Sequence, residues 1–246
     1  MGYKLTWMYI RPNGTEQKIR PSWWWTPSAT CVAYYPLEDD FLDYSWNGYD
    51  LTNSWIVLGT TTDGYKAWQL WVNKFAYTTA FNFQLTNSTP RTIAFWEWCS
   101  SITEWSWSMA AILRNYNGNQ NFCFWATTYN YSTWWLWNPR FQSTWWQTSA
   151  TQPLDYNMSL IDANQMHSYV FAVDSNWASW YKDWVLIWTW AAAYTIESGV
   201  GTWFSIWASI SPSTASRNLN GYIRQVVIDA SKRTADEVAD YHNWTA

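Results

Sequence analysis

The sequence is poor in glycine, with 9 in 246 residues, where a soluble protein usually carries about 7%. Charge is also scarce: Asp, Glu, Lys and Arg make up 13% of the chain, with a formal net charge of -4. That balance leaves no basic stripe to neutralise phosphates and argues against nucleic acid as a partner. The three cysteines, Cys31, Cys99 and Cys123, are odd in number and irregularly spaced. They fit neither a disulfide framework nor a zinc site, and read as buried thiols. With His167 and His242 as its 2 histidines, the chain has little material for a Ser-His-Asp set or a histidine-based metal centre. There is no glycine-rich phosphate loop. No run of about eighteen apolar residues is present to span a bilayer. The first residues, Met1-Gly2-Tyr3-Lys4-Leu5-Thr6, do not read as a signal peptide. The chain is expected at a virion or extracellular surface, reached by another route, for example inside an assembled particle.

What the chain has in excess is tryptophan, 26 residues of 246. Many lie in turn contexts: Trp23, Trp24 and Trp25 before Thr26-Pro27, Trp134, Trp135 and Trp137 around Ser-Thr and Asn-Pro, and Trp145-Trp146. A turn with positive φ suits glycine and strains a bulky side chain. Glycine at Trp46 would give Ser-Gly-Asn-Gly, and at Trp184 Lys-Asp-Gly-Val, both ordinary turns. Two readings stay open. Many of these positions are glycines, for instance through a UGA codon read as glycine in the source, or the indoles are real and form platforms for sugar rings or adhesion. Trp96, in Thr92-Ile93-Ala94-Phe95-Trp96, reads as a genuine strand aromatic. Trp203 and Trp244 fit either reading.

The 48% hydrophobic content is enough for a core, and one large β unit of this length is ordinary. Residues 1–21 read as an N-terminal hairpin or anchor around Pro12-Asn13-Gly14-Thr15, residues 22–30 as a linker, and residues 31–246 as the main domain. Strands are expected over 92–99, 109–113, 121–127, 168–174, 185–189 and 221–229. A single helix is expected over 234–242, with Ser231 and Thr234 as caps. This is the pattern of an all-β, two-sheet antiparallel sandwich.

In this order the motifs resemble the laminin-G-like branch of the concanavalin A-like lectin and glucanase superfamily. Ala33-Tyr34-Tyr35-Pro36-Leu37 and Asp43-Tyr44-Ser45-Trp46-Asn47-Gly48-Tyr49-Asp50-Leu51 are similar to its opening strand and turn. Thr92 to Trp96 is similar to its central strand. His167 to Asp174 with Tyr181-Lys182-Asp183-Trp184-Val185 resembles a late hairpin, and residues 220–228 with 233–241 resemble the closing strand and helix. The resemblance implies a jelly roll with a concave face, and a structural calcium site at Asp43, Asn47 and Asp229 joining opening turn to closing strand. The plainer reading of Asp43 is a turn residue accepting backbone hydrogen bonds.

Glycoside-hydrolysing relatives need two carboxylates flanking the bond. Glu97 and Glu104 are the nearest acids, but they lack the Glu-x-Asp-x-x-Glu alternation and read as solvent-facing. No enzyme is expected. For a glycan or cell-surface polysaccharide, aromatic faces beside amide side chains are the suitable chemistry. Two hairpin-loop clusters offer it: Asn115, Tyr116, Asn117 and Asn119, and Tyr129 with Asn130 and Tyr131. The expected function is a non-catalytic carbohydrate-binding or surface-adhesion module, with other subunits docking through the N-terminal hairpin. The alternative is a scaffold or capping domain without a small ligand.

Overall fold

The computed structural model describes residues 7–10, 16–19, 28–37, 39–70, 74–80, 90–99, 109–117, 120–127, 140–144, 156–157, 165–191, 203–206 and 221–245. They form seventeen strands and one helix: β1 Trp7–Ile10, β2 Glu16–Ile19, β3 Cys31–Tyr35, β4 Thr52–Ser54, β5 Val57–Thr60, β6 Lys66–Leu70, β7 Phe75–Thr78, β8 Arg91–Cys99, β9 Met109–Asn117, β10 Gln120–Thr127, β11 Arg140–Thr144, β12 Tyr156–Asn157, β13 His167–Val173, β14 Trp177–Lys182, β15 Val185–Ala191, β16 Trp203–Ile206, β17 Gly221–Asp229 and α1 Ala235–Thr245. The first two pair as the expected N-terminal hairpin. The rest make a seven-stranded sheet, β12-β11-β10-β9-β16-β7-β4, and an eight-stranded sheet, β15-β14-β13-β8-β17-β6-β5, with β3 also paired to β17. All pairings are antiparallel among the described strands.

The sandwich follows from alternation along the strands. In β8, Ile93 and Phe95 join Tyr169, Phe171, Trp180 and Ile223 of the same sheet, and Ala76, Phe204 and Ile206 of the other, in one buried cluster. That cluster is the core between the layers. The intervening residues Ala94, Trp96 and Trp98 point the other way, into a second cluster with Val170, Tyr181 and Val227 that Val238 and Tyr241 of α1 cover. The middle of the eight-stranded sheet is therefore apolar on both faces, one packed against the opposite sheet and the other covered in part by the helix.

Strand β17 changes its parity midway. Ile223 is in the inner cluster, and so are Val226 and Ile228, which strict alternation forbids. The register shifts between Arg224 and Val227, and Gln225 has φ 54°, a β-bulge that resets the face. The bulge is held by Gln225 N–H to Pro36 O at 2.9 Å and by Tyr241 O–H to Gln225 O at 2.7 Å. Before it β17 pairs with β6, and after it with β3. Gly59 is needed for space, because a Cβ there would lie 2.7 Å from the Tyr222 ring.

Helix α1 begins with a capping box. Glu237 N–H donates to Thr234 Oγ1 at 3.3 Å, and Thr234 N–H donates to Glu237 Oε2 at 2.8 Å. Thr234 is thus the cap. Ser231 instead bonds Asp229 through its N–H and its hydroxyl.

Candidate functional site

The opening turn is organised around Asp43, which is fully buried. Its Oδ1 accepts from Tyr34 N–H at 3.0 Å and Ser45 N–H at 2.8 Å. Its Oδ2 accepts from Ser45 O–H at 2.9 Å and Tyr49 N–H at 3.0 Å. Asn47 donates its amide to the carbonyls of Cys31 at 3.1 Å and Val32 at 2.9 Å, tying the turn to β3. Asp229 does the same work at the end of β17. It accepts from Ser28 and Thr30 hydroxyls at 2.7 and 2.6 Å, from Ser231, and from the Arg233 guanidinium through Nε at 3.1 Å. Burial pushes the Asp229 carboxyl upward, yet the hydrogen bonds from Thr30, Ser28 and Ser231 and the Arg233 charge hold it below the usual range. Between these two acids Cys31 is a buried free thiol, its ionisation pushed well up by burial and then by both carboxylates.

As folded, Asp43, Asn47 and Asp229 do not fit a calcium ion. A hard cation takes carboxylate and carbonyl oxygens; here the carboxylate oxygens are engaged by hydrogen-bond donors, and Asn47 turns its donor nitrogen to the backbone. Among the described residues no group of three or more His, Cys, Asp and Glu is placed to hold a metal.

Glu97 lies elsewhere than the solvent-facing position expected of it. Two residues beyond Phe95 on β8, it shares the face of the inner core and is 3% exposed. Among the described residues neither carboxyl oxygen has a hydrogen-bond partner, and burial raises its pKa to about 8. Counting by two along Ile93, Phe95 and Glu97 would have found this position. Its cross-strand neighbour is His167, whose Nδ1 lies 2.6 Å from Asp183 Oδ2. Burial pushes the Asp183 carboxyl up, but hydrogen bonds from His167 and the Ser168 N–H bring it below the usual range. Pairing of β8 with β13 and the β13–β14 hairpin thus bring Glu97, His167 and Asp183 together, which no spacing along the chain signals. Glu104 lies outside the described residues.

The proposed glycan contacts divide in three ways. Asn115, Tyr116 and Asn117 are not in a loop: they close β9, with Asn115 opposite Phe122 and Phe204, Tyr116 opposite Asn121 and Trp203, and Asn117 opposite Gln120. The strand that looked complete at residue 113 runs four residues further because it is paired on both sides, and cross-strand pairing overrides the turn preference of asparagine. Asn119, Tyr129 and Tyr131 lie outside the described residues.

No protein-family model matches the chain, and no curated protein sequence matches it. Solved structures do. The fold is similar to domain 4 of AbnA, a GH43 extracellular arabinanase from Geobacillus stearothermophilus, in complex with arabinotriose, at TM-score 0.62 and 14% identity over 88% of this chain and 100% of that one. It is also similar to the receptor-binding domain of botulinum neurotoxin D, at TM-score 0.62 and 12% identity over 87% of this chain and 52% of that one. A third is a botulinum neurotoxin type C structure whose cell entry depends on two ganglioside molecules, at TM-score 0.62 and 14% identity over 88% and 52%. The chain is an all-β sandwich of this kind, and it spans about half the length of the toxin chains it matches.

Proposed function

We propose that this chain is a non-catalytic carbohydrate-binding or surface-adhesion module of the laminin-G-like, concanavalin A-like type. The observation that carries the reading is the likeness of its two-sheet fold, over 88% of its length, to the whole of a domain whose structure holds arabinotriose. The toxin domain likenesses, one from a chain that uses gangliosides for entry, support the same class of ligand. The non-catalytic part is supported by Glu97, an acid 3% exposed on the face packed between the sheets, where a glycosidase needs two carboxylates flanking an accessible bond.

The glycan contacts are assigned to the end of β9, Asn115, Tyr116 and Asn117, to Asn119 after it, and to Tyr129 and Tyr131 beyond β10, where amides bond hydroxyls and phenol rings stack on sugar faces. Weak single contacts of this kind act through many copies, which suits a virion or extracellular surface with the N-terminal hairpin joining the module to other subunits. Reading tryptophan as glycine at turn positions decides which indole faces can take part.

The test is a glycan array on the purified chain, with and without calcium, followed by the paired variant N115A/N117A. Binding that falls about tenfold or more in the variant, with the far-ultraviolet dichroism unchanged, is the expected result. A folded chain that binds no glycan in either condition favours the scaffold or capping reading instead.

A further inference from the structure

At three turns the backbone adopts a conformation that tryptophan is poorly made for. Among the described residues, six that are not glycine have positive φ: Leu37 at 54°, Trp46 at 75°, Trp55 at 64°, Asp183 at 47°, Trp184 at 60° and Gln225 at 54°. Asp tolerates this region, whereas a bulky side chain there is an outlier. Leu37 and Gln225 are buried, at 1% and 4% exposure, where surrounding structure can hold a strained backbone. The three tryptophans are 53%, 81% and 50% exposed, so packing of the indole offsets far less.

In each case the conformation is fixed from the flanks. On either side of Trp46, Ser45 and Tyr49 donate their N–H groups to Asp43, and Asn47 is tied to Cys31 and Val32. Next to Trp55, the Asn53 side chain closes a ring on Ile56, accepting its N–H at 2.9 Å and donating to its carbonyl at 3.0 Å. Trp184 is the second residue of a two-residue hairpin loop, since Lys182 and Val185 pair directly across it. Both loop residues have positive φ, the signature of a type I′ turn, for which Asp-Gly is a preferred pair. Asp183 is clamped by Ser168 N–H at 3.0 Å and by His167, and its own N–H donates to Ser168 O at 2.9 Å. The Trp184 indole, half-exposed, stands edge-on to His242 at 4.2 Å.

We infer that glycine is the native residue at positions 46, 55 and 184, and that tryptophan there reflects a codon the source organism reads as glycine. The inference does not depend on the carbohydrate reading. Its consequence is that these three exposed indoles are no part of any ligand platform, so the aromatic contacts of a binding face must come from other residues.

Two measurements test it. Peptides of the protein from its natural source, spanning residues 44–58 and 181–186, are sequenced by mass spectrometry. Glycine at the three positions is expected, and tryptophan overturns the inference. Independently, the tryptophan-bearing chain is compared with W46G, W55G and W184G and with the alanine variant at each site. Alanine removes the indole but keeps the left-handed penalty of about 1–2 kcal/mol, so glycine should exceed alanine by roughly 5–30-fold in the folded-to-unfolded ratio. Glycine and alanine variants of equal stability would overturn the conformational argument.

Discussion

Two buried acids of the eight-stranded sheet show how differently the same burial can act. Asp229, at the end of β17, is 0% exposed and Glu97, near the end of β8, is 3% exposed. The first is surrounded by hydroxyls, a backbone N–H and a guanidinium, and its carboxyl is held below the usual range. The second has neither oxygen bonded among the described residues and is raised to about 8. Burial penalises a charge in both places; only the Asp229 site supplies donors to outweigh the penalty. One acid closes the fold, joining residues 28–30, β17 and the approach to α1. The other works against it near neutral pH.

The largest expected effect comes from breaking the favourable side. In D229A the Arg233 guanidinium and the hydroxyls of Ser28 and Thr30 lose the Asp229 carboxylate, and breaking a buried pair this way costs about 3–5 kcal/mol. A urea-unfolding midpoint that stays at the wild-type value would show that these contacts contribute little.

Removing the other acid should sharpen the contrast. Glu97 ionises near 4.5 when unfolded and near 8 when folded. Between those values the unfolded chain has lost the proton while the folded chain keeps it, so stability falls as pH rises through that window. E97Q cannot titrate and should be more stable than wild type at pH 8, by an amount on the order of a few kcal/mol. Near pH 4.5 that advantage should vanish. Parallel pH–stability curves for the two proteins would refute the assignment.

A smaller effect is expected at His242, which accepts or donates in a 2.7 Å bond with Ser168 Oγ and stacks on Trp96 at 4.9 Å. Burial lowers its pKa below 6.5, with Asp183 opposing and His167 adding to the shift. Unfolded, the ring protonates near 6.5; folded, it resists. Its contribution is therefore present above that value and lost as pH falls below it. H242Q should flatten the stability curve slightly on the acid side of 6.5, measured by thermal unfolding at constant ionic strength. The smallest effect expected is from calcium. With Asp43 and Asp229 already bonded, adding calcium or a chelator should leave the melting temperature unchanged, and a rise of several degrees with calcium would show that the ion displaces those bonds.

The layered β architecture was readable from short alternating runs, because a residue's face on a strand follows from its position alone. Residues 221–229 gave β17 with its observed ends, and Thr234 gave the helix cap. Alternation fails where a bulge intervenes: nothing in Tyr222-Ile223-Arg224-Gln225-Val226 announces that Gln225 turns left-handed. Site positions were less readable. Asparagines at 115 and 117 carry turn propensity, and only pairing, of Asn115 with β10 and β16 and of Asn117 with β10, keeps their backbone in a strand. Trp46 and Trp184 were suspect from neighbouring Asn-Gly and Lys-Asp. Trp55, between Ser54 and Ile56, carried no such signal and is revealed by its φ and the Asn53 clamp.

The sequence by itself determined that the chain is all-β, that one helix follows the last strand, and that its tryptophans sit badly in several turns. These are local properties, set by period, capping and the conformational range of single residues. Tertiary structure alone decided that Asp229 is bonded to residues 28–30 rather than open to a cation, that Glu97 lies beside His167, and that β17 changes face at Gln225, whose N–H is held by Pro36. Each of these depends on groups far apart along the chain, brought within hydrogen-bonding or packing distance only when the two sheets and the helix assemble.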